Sequence, residues 1–218
     1  MIVLNFKTYP EVTLGNNAVK LAQIAQEVFE QYQVPIILCL QATDIYKVKQ
    51  HCHLPLFAQH IDPINPGQNT GFISALSVKE NGASGVMINH SEHRIGDENI
   101  QKTLAICKQN QLQTLVCVEN AEEAVKINEW QPDMIALEDP VLIGGEVSIV
   151  KNEAGKQKVE EFVAKNLSAK TLVGAGVKSK DDIIVSLKIG AAGVLLASGF
   201  TKAADPKAFL EDLSQGFK

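Results

Sequence analysis

Short apolar segments recur eight times along this chain of 218 residues, and most of them are rich in Val, Ile and Leu. They cover Ile2–Phe6, Pro35–Leu40, Pro55–Gln59, Gly85–Asn89, Gln113–Val118, Met134–Glu138, Thr171–Ala175 and Gly193–Ala197. Most are apolar throughout rather than alternately apolar and polar, which is typical of parallel strands that are covered on both faces. We therefore predict eight buried parallel strands.

The segments between these strands carry the spacing of helices. Apolar residues recur at steps of three and four over residues 14–32, which places them on one face of a helix. Similar spacing predicts further helices over Asp97–Asn110, Ala121–Trp130 and Ser179–Ile189. We expect Asp97 to be the N-cap of the first of these, and Ser179 and Asp182 to form a capping box at the third. Asp205-Pro206 opens the last helix, because proline suits the first helical position.

The spacing of the strands predicts the architecture. Successive strands start roughly 20 to 37 residues apart, which leaves room for one helix after each strand and none for a second domain. Eight such units predict an α/β fold, a closed (β/α)8 barrel formed by a single domain over residues 1–218. An open doubly wound sheet is the alternative. The count of eight, and the lack of a Gly-x-Gly-x-x-Gly motif after the first strand, favour the barrel.

The charge and hydropathy of the chain exclude several classes of function. It carries 25 acidic and 20 basic residues, for a net charge of −5, and Arg94 is its one arginine. A nucleic-acid partner is therefore not expected. The sequence has no window of about 18 apolar residues and no basic region before its N-terminal apolar run, so we predict neither a membrane span nor a secretory signal. These features favour a cytoplasmic protein.

Four cysteines are present, Cys39, Cys52, Cys107 and Cys117, and no two form a Cys-x-x-Cys pair. Two of them lie inside apolar segments, which predicts buried, reduced thiols. His51-Cys52-His53 places three metal-ligand types side by side, but it lacks the second cluster that a tetrahedral site needs. We therefore predict no metal site.

Chemically active side chains follow the ends of several predicted strands. Lys7 follows the first strand, His90 follows the fourth, Glu138 ends the sixth, and turns containing Gly176 and Ser198 follow the seventh and eighth. In a (β/α)8 barrel the carboxyl ends of all strands meet at one rim, where the active site lies. We therefore expect these residues to share one site.

The chemistry of such a rim can be stated. Glu138 can take a proton from a carbon next to a carbonyl, and a neutral His90 can donate a hydrogen bond to that carbonyl as it becomes an enediolate. Lys7 can stabilise the negative charge, while the turns after the seventh and eighth strands occupy the usual phosphate position of this fold. These roles describe an aldose–ketose isomerase that acts on a small phosphorylated sugar.

Several longer motifs carry a family resemblance. They are Asn5-Phe6-Lys7, Asn89-His90-Ser91-Glu92-His93-Arg94, Glu138-Asp139-Pro140, Gly174-Ala175-Gly176 and Leu195-Leu196-Ala197-Ser198-Gly199. In this order and at these strand ends, they resemble the triosephosphate isomerase family, most closely its short, archaeal-type branch. Ala58-Gln59-His60-Ile61-Asp62-Pro63 resembles the third loop of that branch. In the mechanism of that family, a Glu acts as the base, a neutral His acts as the electrophile, and a loop closes over the substrate.

The resemblance implies roles for individual residues. Substrate would be held by Asn5, Phe6, Lys7, Ile143, Gly176, Ala197 and Ser198. His90 would be the electrophile, Glu138 the base that moves the proton, and Lys7 the cation. Glu92 would support the rim by pairing with Lys or Arg, and Ile143 would contact phosphate through its backbone N–H when a lid closes. No cofactor is implied.

The resemblance also implies a homo-oligomer, a dimer or a tetramer, and we expect the loop His60–Gly71 to form its contact. Two differences from the family pattern lie in the lid, at Asp139 and at Gly144-Gly145-Glu146-Val147-Ser148, so we expect less complete closure. Two alternatives remain: a phosphate-ligand-binding barrel of low catalytic activity, and another phosphate-binding barrel enzyme.

Overall fold

Eight short strands form the centre of the computed structural model, which describes residues 1–138, 148–151, 153–174 and 176–218. They are β1 (Ile2–Asn5), β2 (Ile36–Leu40), β3 (Leu56–Ala58), β4 (Gly85–Ile88), β5 (Gln113–Val118), β6 (Met134–Glu138), β7 (Lys170–Gly174) and β8 (Gly193–Leu196). Every boundary lies within one residue of the sequence prediction, because continuous apolar segments mark strands that are buried on both faces.

Helices occupy the connections between strands. They are α1 (Pro10–Thr13), α2 (Asn16–Tyr32), α3 (Ala42–Lys49), α4 (Ala75–Glu80), α5 (Asp97–Gln109), α6 (Ala121–Asn128), α7 (Glu153–Ala164), α8 (Lys180–Ile189), α9 (Ser198–Thr201) and α10 (Pro206–Gln215), with a 3-10 turn at Ile149–Lys151. In the described part of the chain, none of these helices combines the length and the apolarity that crossing a bilayer requires.

The sheet closes on itself. The strands follow one another in chain order from β1 to β8, and all the pairings are parallel. Ile2 of β1 pairs with Ile36 of β2 on one side and with Val194 of β8 on the other, which completes the ring. The eight-stranded barrel is therefore confirmed, and the open sheet is wrong.

Side chains of each strand alternate between two apolar layers. On β1, Val3 points into the barrel, whereas Ile2 and Leu4 pack outward among helix residues. The interior layer consists of Val3, Ile37, Cys39, Phe57, Met87, Leu115, Cys117, Met134, Ala136, Leu172 and Leu195. It is tightly filled: a Cβ at Gly85 would lie 2.5 Å from the Phe57 ring. The barrel is thus a packed core, and only its rim is open for chemistry.

Two of the three predicted helix starts are confirmed. The Asp205 side chain accepts a hydrogen bond from the N–H of Ala208, and Ser179 and Asp182 form the capping box of α8. Asp97 as an N-cap is wrong. The cap is Gly96, at φ 75°, and its carbonyl accepts the N–H of Ile100, so Asp97 is the first helical residue. There its carboxylate pairs with Lys126 and is stabilised by the positive end of the helix dipole.

Candidate active site

One cavity lies at the carboxyl end of the barrel. Its lining includes Asn5, Lys7, Tyr9, His90, Glu138, Gly176, Val177, Lys178, Leu195, Leu196, Ala197, Ser198 and Gly199. These residues come from the ends of β1, β4, β6, β7 and β8, or from the loops that follow them. The structure therefore brings together seven residues that the sequence analysis selected: Asn5, Lys7, His90, Glu138, Gly176, Ala197 and Ser198.

His90 and Glu138 face each other across this cavity. Nε2 of His90 lies 3.3 Å from Oε1 of Glu138, and both side chains are buried. The backbone N–H of Glu92 donates to Nδ1 of His90 at 3.1 Å. An imidazole nitrogen that accepts a hydrogen bond carries no proton, so this ring is neutral and its one N–H is at Nε2. The imidazole therefore presents a hydrogen-bond donor to the cavity.

The carboxylate of Glu138 is incompletely satisfied by the described residues. Its Oε2 atom is buried, and among the described residues it has no hydrogen-bond partner. A buried acceptor without a donor costs about 1–3 kcal/mol, and such atoms in native proteins commonly belong to functional sites. Gly174 leaves room for this side chain, because a Cβ there would lie 3.3 Å from Cγ of Glu138 and 3.1 Å from the carbonyl oxygen of Leu195.

Two interior thiols, Cys39 and Cys117, lie near Glu138. Burial first, and the negative charge of the Glu138 carboxylate second, raise the pKa of both thiols. Both thiols therefore remain protonated and neutral near neutral pH. These neutral thiols therefore add no further negative charge beneath the Glu138 carboxylate.

Lys7 supplies a cation to the same rim. Its side chain is 11% exposed, and Nζ contacts Oε1 of Glu92 at 2.6 Å. This confirms the expected pairing of Glu92. The ion pair holds the ammonium close to the loop that carries His90, since Glu92 also presents its second carboxylate oxygen 3.6 Å from His90 Nδ1. Lys7, Glu92 and His90 thus form one connected polar group.

Asn89 fixes the turn that carries His90. Its backbone is left-handed, at φ 63°, a conformation that asparagine adopts more readily than most residues. Its side chain donates to the carbonyl of Cys117 at 3.1 Å and accepts the N–H of Ile95 at 3.1 Å. These bonds tie the end of β4 to β5 and to the start of α5, so His90 is held by rigid elements on both sides.

The opposite side of the cavity is built from backbone. Gly176 has φ 74°, and Ala197 precedes the short helix α9, where its carbonyl accepts the N–H groups of Phe200 and Thr201. The first N–H groups of a helix have no intrahelical acceptor and can meet an anion. Tyr9 joins this side, with Nζ of Lys202 lying 3.7 Å from the centre of its ring. Tyr9 belongs to none of the sequence motifs, although it lies two residues beyond Lys7 in the same loop.

Phe6 is a correction, because its side chain does not line the cavity. It is 1% exposed and packs in the outer layer, with its ring centre 6.2 Å from that of Phe200. Strand alternation explains this: Val3 and Asn5 point inward, so Phe6 points toward the helices. Ile143, Asp139 and the segment 144–147 lie outside the described residues.

A larger cavity, of about 650 Å³, is lined by α5, the start of β5 and the segment between α6 and β6. Its lining includes Lys108, Trp130 and Asp133. The Asp133 carboxylate already accepts hydrogen bonds from the backbone N–H and the hydroxyl of Thr114. The described lining of this larger cavity offers no pair of facing acid and base groups, so we assign the candidate active site to the rim cavity.

The rim arrangement suits proton transfer at carbon. A buried carboxylate faces a neutral imidazole N–H, and an ammonium lies on the same rim. The carboxylate can accept a proton from a C–H bond next to a carbonyl, while the other two groups stabilise the oxygen that becomes negative. Backbone N–H groups on the far side suit an anionic group of the same ligand.

Comparisons with known proteins point to one family. A family model described as triosephosphate isomerase matches residues 1–213. Proteins named triosephosphate isomerase from Methanobrevibacter smithii and Methanothermus fervidus are 40% and 41% identical to this chain over 215 residues, covering 98% of this chain and 96% of each relative. The protein of that name from Methanocaldococcus jannaschii is 38% identical over 217 residues, 98% of each chain.

A solved structure agrees with the architecture. The crystal structure of triosephosphate isomerase from Bartonella henselae superposes with a TM-score of 0.68, at 22% identity, and covers 90% of this chain and 91% of that one. At this identity the similarity shows the fold alone.

Proposed function

The chain belongs to the triosephosphate isomerase family, an isomerase family, and we propose that it interconverts dihydroxyacetone phosphate and D-glyceraldehyde 3-phosphate. The observation that carries the proposal is the buried Glu138 carboxylate, which faces Nε2–H of a neutral His90 at 3.3 Å. A base and a hydrogen-bond donor in this relation are what the reaction needs at two adjacent carbons.

Glu138 is the proposed base. It removes a proton from the carbon next to the carbonyl, and the C–H electron pair then forms the double bond of an enediolate. The same carboxylic acid returns the proton to the neighbouring carbon, while the hydroxyl proton passes from the oxygen of the first carbon to the oxygen of the second, so no atom is gained or lost. Its Oε2 atom has no hydrogen-bond partner among the described residues, which supports this role, because an acceptor already occupied by donors would be a weaker base.

His90 and Lys7 are the proposed electrophiles. Nε2–H of His90 donates to the substrate oxygen as negative charge develops, and the Lys7 ammonium attracts both that charge and the phosphate. Loss of one such preorganised donor typically costs about 10²–10³-fold in turnover. Their low exposure strengthens these interactions, since water screens them less than at an open surface.

Asn5, Gly176, Ala197 and Ser198 are the proposed remaining substrate contacts, with the phosphate on the Gly176 and Ala197–Ser198 side. We do not assign a contact to Phe6, whose side chain lies in the outer core. The role of Ile143 in a closing lid stays a prediction from the family resemblance.

Further features of the protein are proposed on the same basis. The chemistry uses side chains only, so we propose that neither a metal nor an organic cofactor is needed. We also propose one barrel domain over residues 1–218, a cytoplasmic location, and a dimer or tetramer without nucleic-acid or membrane partners. The exposed Phe72 and Leu76, which follow the loop His60–Gly71, support a contact there between copies of this chain.

A coupled assay tests the function. Purified protein is given D-glyceraldehyde 3-phosphate, and the dihydroxyacetone phosphate formed is reduced by a linked dehydrogenase. We expect rapid turnover that survives exhaustive chelation, with Glu138→Gln as the inactive control. A protein that binds 2-phosphoglycolate, a two-carbon carboxylate with a phosphate, but does not turn over would instead be the binding barrel.

A further inference from the structure

The backbone of Lys7 is in an unfavourable conformation. Its φ is 53°, in the left-handed region, where the Cβ of any residue other than glycine is crowded by the neighbouring peptide. Unlike Asn89, Lys7 has no short polar side chain to bond with its own backbone there. Such a conformation persists only where its surroundings enforce it, and enforced strain is common at functional sites.

Part of the enforcement comes from Asn5. The backbone N–H of Lys7 donates to Oδ1 of Asn5 at 3.0 Å, which closes a tight turn between two residues of the rim. Asn5 is 3% exposed, so its side chain has little freedom to move away. This bond fixes the N–H of Lys7 but not its carbonyl, which needs a separate hydrogen-bond donor.

The rest comes from Gln59. Its amide nitrogen, Nε2, lies 3.2 Å from the carbonyl oxygen of Lys7 and 3.1 Å from Oδ1 of Asn5. One amide group therefore donates to both ends of the turn. It also lies 3.3 Å from the carbonyl oxygen of Cys39, which shares its two hydrogens among three acceptors.

Gln59 is itself rigidly placed. It directly follows β3, and its backbone N–H donates to the carbonyl of Leu40 at the end of β2 at 2.9 Å. Its side chain thus reaches from β3 across β2 to the turn after β1. Three neighbouring strands of the barrel define where the Lys7 backbone lies.

We propose that Gln59 is a positioning residue for the cation of the active site. By donating to the Lys7 carbonyl and to Asn5, it holds the left-handed turn that directs the Lys7 ammonium to Glu92 and the cavity. Without these bonds, Lys7 relaxes to negative φ and its ammonium moves away from the substrate. The inference deepens the proposed function and rests on it for the role of Lys7.

Its test compares two substitutions of the same kind. Gln59→Met keeps the length of the side chain and removes the donors. Gln33→Met is the matched control, since the Gln33 amide also donates to two backbone carbonyls, those of Glu30 and Phe29, but at the end of α2, away from the site. We expect Gln59→Met to lower kcat/KM by about 10- to 100-fold, as misplacement by an ångström can, and Gln33→Met to leave it unchanged.

A second measurement separates positioning from general damage. The affinity of the wild type for 2-phosphoglycolate should fall with added salt, because the partly exposed Lys7 ammonium attracts the anionic ligand and salt screens that attraction. In Gln59→Met, as in Lys7→Met, this salt dependence should be weaker, and combining the two substitutions should add little to either alone. Gln59→Glu, which has the same shape but only acceptors when ionised, should be as impaired as Gln59→Met.

The possible outcomes separate the positioning role from the proposed function. If the wild type is active and Gln59→Met or Gln59→Glu is equally active, the positioning role is overturned. Losses of activity that add up when Gln59→Met is combined with Lys7→Met would overturn it as well. A wild type without isomerase activity would overturn the proposed function instead. In that event crystal structures of the wild type and Gln59→Glu still decide: a Lys7 φ that remains near 53° in the variant refutes the role of Gln59, and a change to negative φ supports it.

Discussion

Nε2 of His90 lies 3.3 Å from Oε1 of Glu138, although these residues end strands that are not neighbours in the sheet. His90 follows β4 and Glu138 ends β6, with β5 between them. The contact exists because both side chains turn inward over the packed interior of the barrel, where they are 7% and 8% exposed. The donor on the imidazole and the acceptor on the carboxylate therefore meet in a space with little water.

Glu138→Asp should retain binding and lose turnover. Shortening the side chain by one methylene withdraws the carboxylate by about an ångström, which can cost on the order of 10²-fold in rate. The measurements are kcat and the affinity for 2-phosphoglycolate. Turnover equal to the wild type would show that Glu138 is not the base.

His90→Asn should lower kcat by about 10²–10³-fold and change KM far less, because the imidazole acts mainly on the developing enediolate. It also removes the acceptor for the Glu92 N–H, so thermal unfolding should be measured in parallel. An effect confined to KM would remove His90 from the chemical step.

Gly174→Ala should impair activity more than stability. The new Cβ would lie 3.3 Å from Cγ of Glu138, so the base must shift by a few tenths of an ångström. Gly85→Ala is the control, since its Cβ would meet the Phe57 ring at 2.5 Å in the core. Overpacking there should cost about 1–3 kcal/mol of unfolding free energy. If both variants lost activity and stability in the same proportion, displacement of Glu138 would not explain the effect of Gly174→Ala.

The protein should lose stability as the pH falls below about 6.5, the ordinary histidine pKa. Burial first, and the neighbouring His93 second, lower the pKa of His60, while Asp62 at 3.4 Å opposes this. The ring centres of His60 and His93 are 4.3 Å apart. Below pH 6.5 the unfolded chain therefore binds a proton at this residue that the folded chain does not, so unfolding is favoured.

Urea unfolding at pH 7.5 and 5.5 measures this effect. His60→Asn should reduce the loss of stability between the two values, whereas His51→Asn, at an exposed position, should not. A loss that is the same in His60→Asn as in the wild type would show that other groups cause it.

The four cysteines should not react with thiol reagents in the folded protein. All four are buried and free, and burial raises the pKa of Cys107 to about 12. The reactive thiolate is therefore scarce as well as inaccessible. Ellman's reagent should detect no thiol under native conditions and four after unfolding in urea. Rapid native reaction of any cysteine would indicate local opening of the barrel.

Much of the fold could be predicted because it follows from local patterns. Continuous apolar segments mark strands such as Gln113–Val118, whose bounds were predicted without error. Helix caps such as Asp205 were recognisable from the chemistry of single residues. The strand-end rule then placed Lys7, His90 and Glu138 at one rim. The family resemblance suggested a substrate contact for Phe6, but strand alternation turns that side chain outward.

The sequence by itself therefore determined the strand count, the closed parallel barrel and the three chemical groups of the rim, since each depends on residue type and short spacing. Only the tertiary structure decided how those groups are held. The Gln59 amide and the Lys7 carbonyl are 52 residues apart in the chain. They meet because β1, β2 and β3 lie side by side, and a backbone dihedral such as the φ of Lys7 is set by contacts of that kind. No local pattern encodes them, because the enforcing hydrogen bonds form only after the strands have paired.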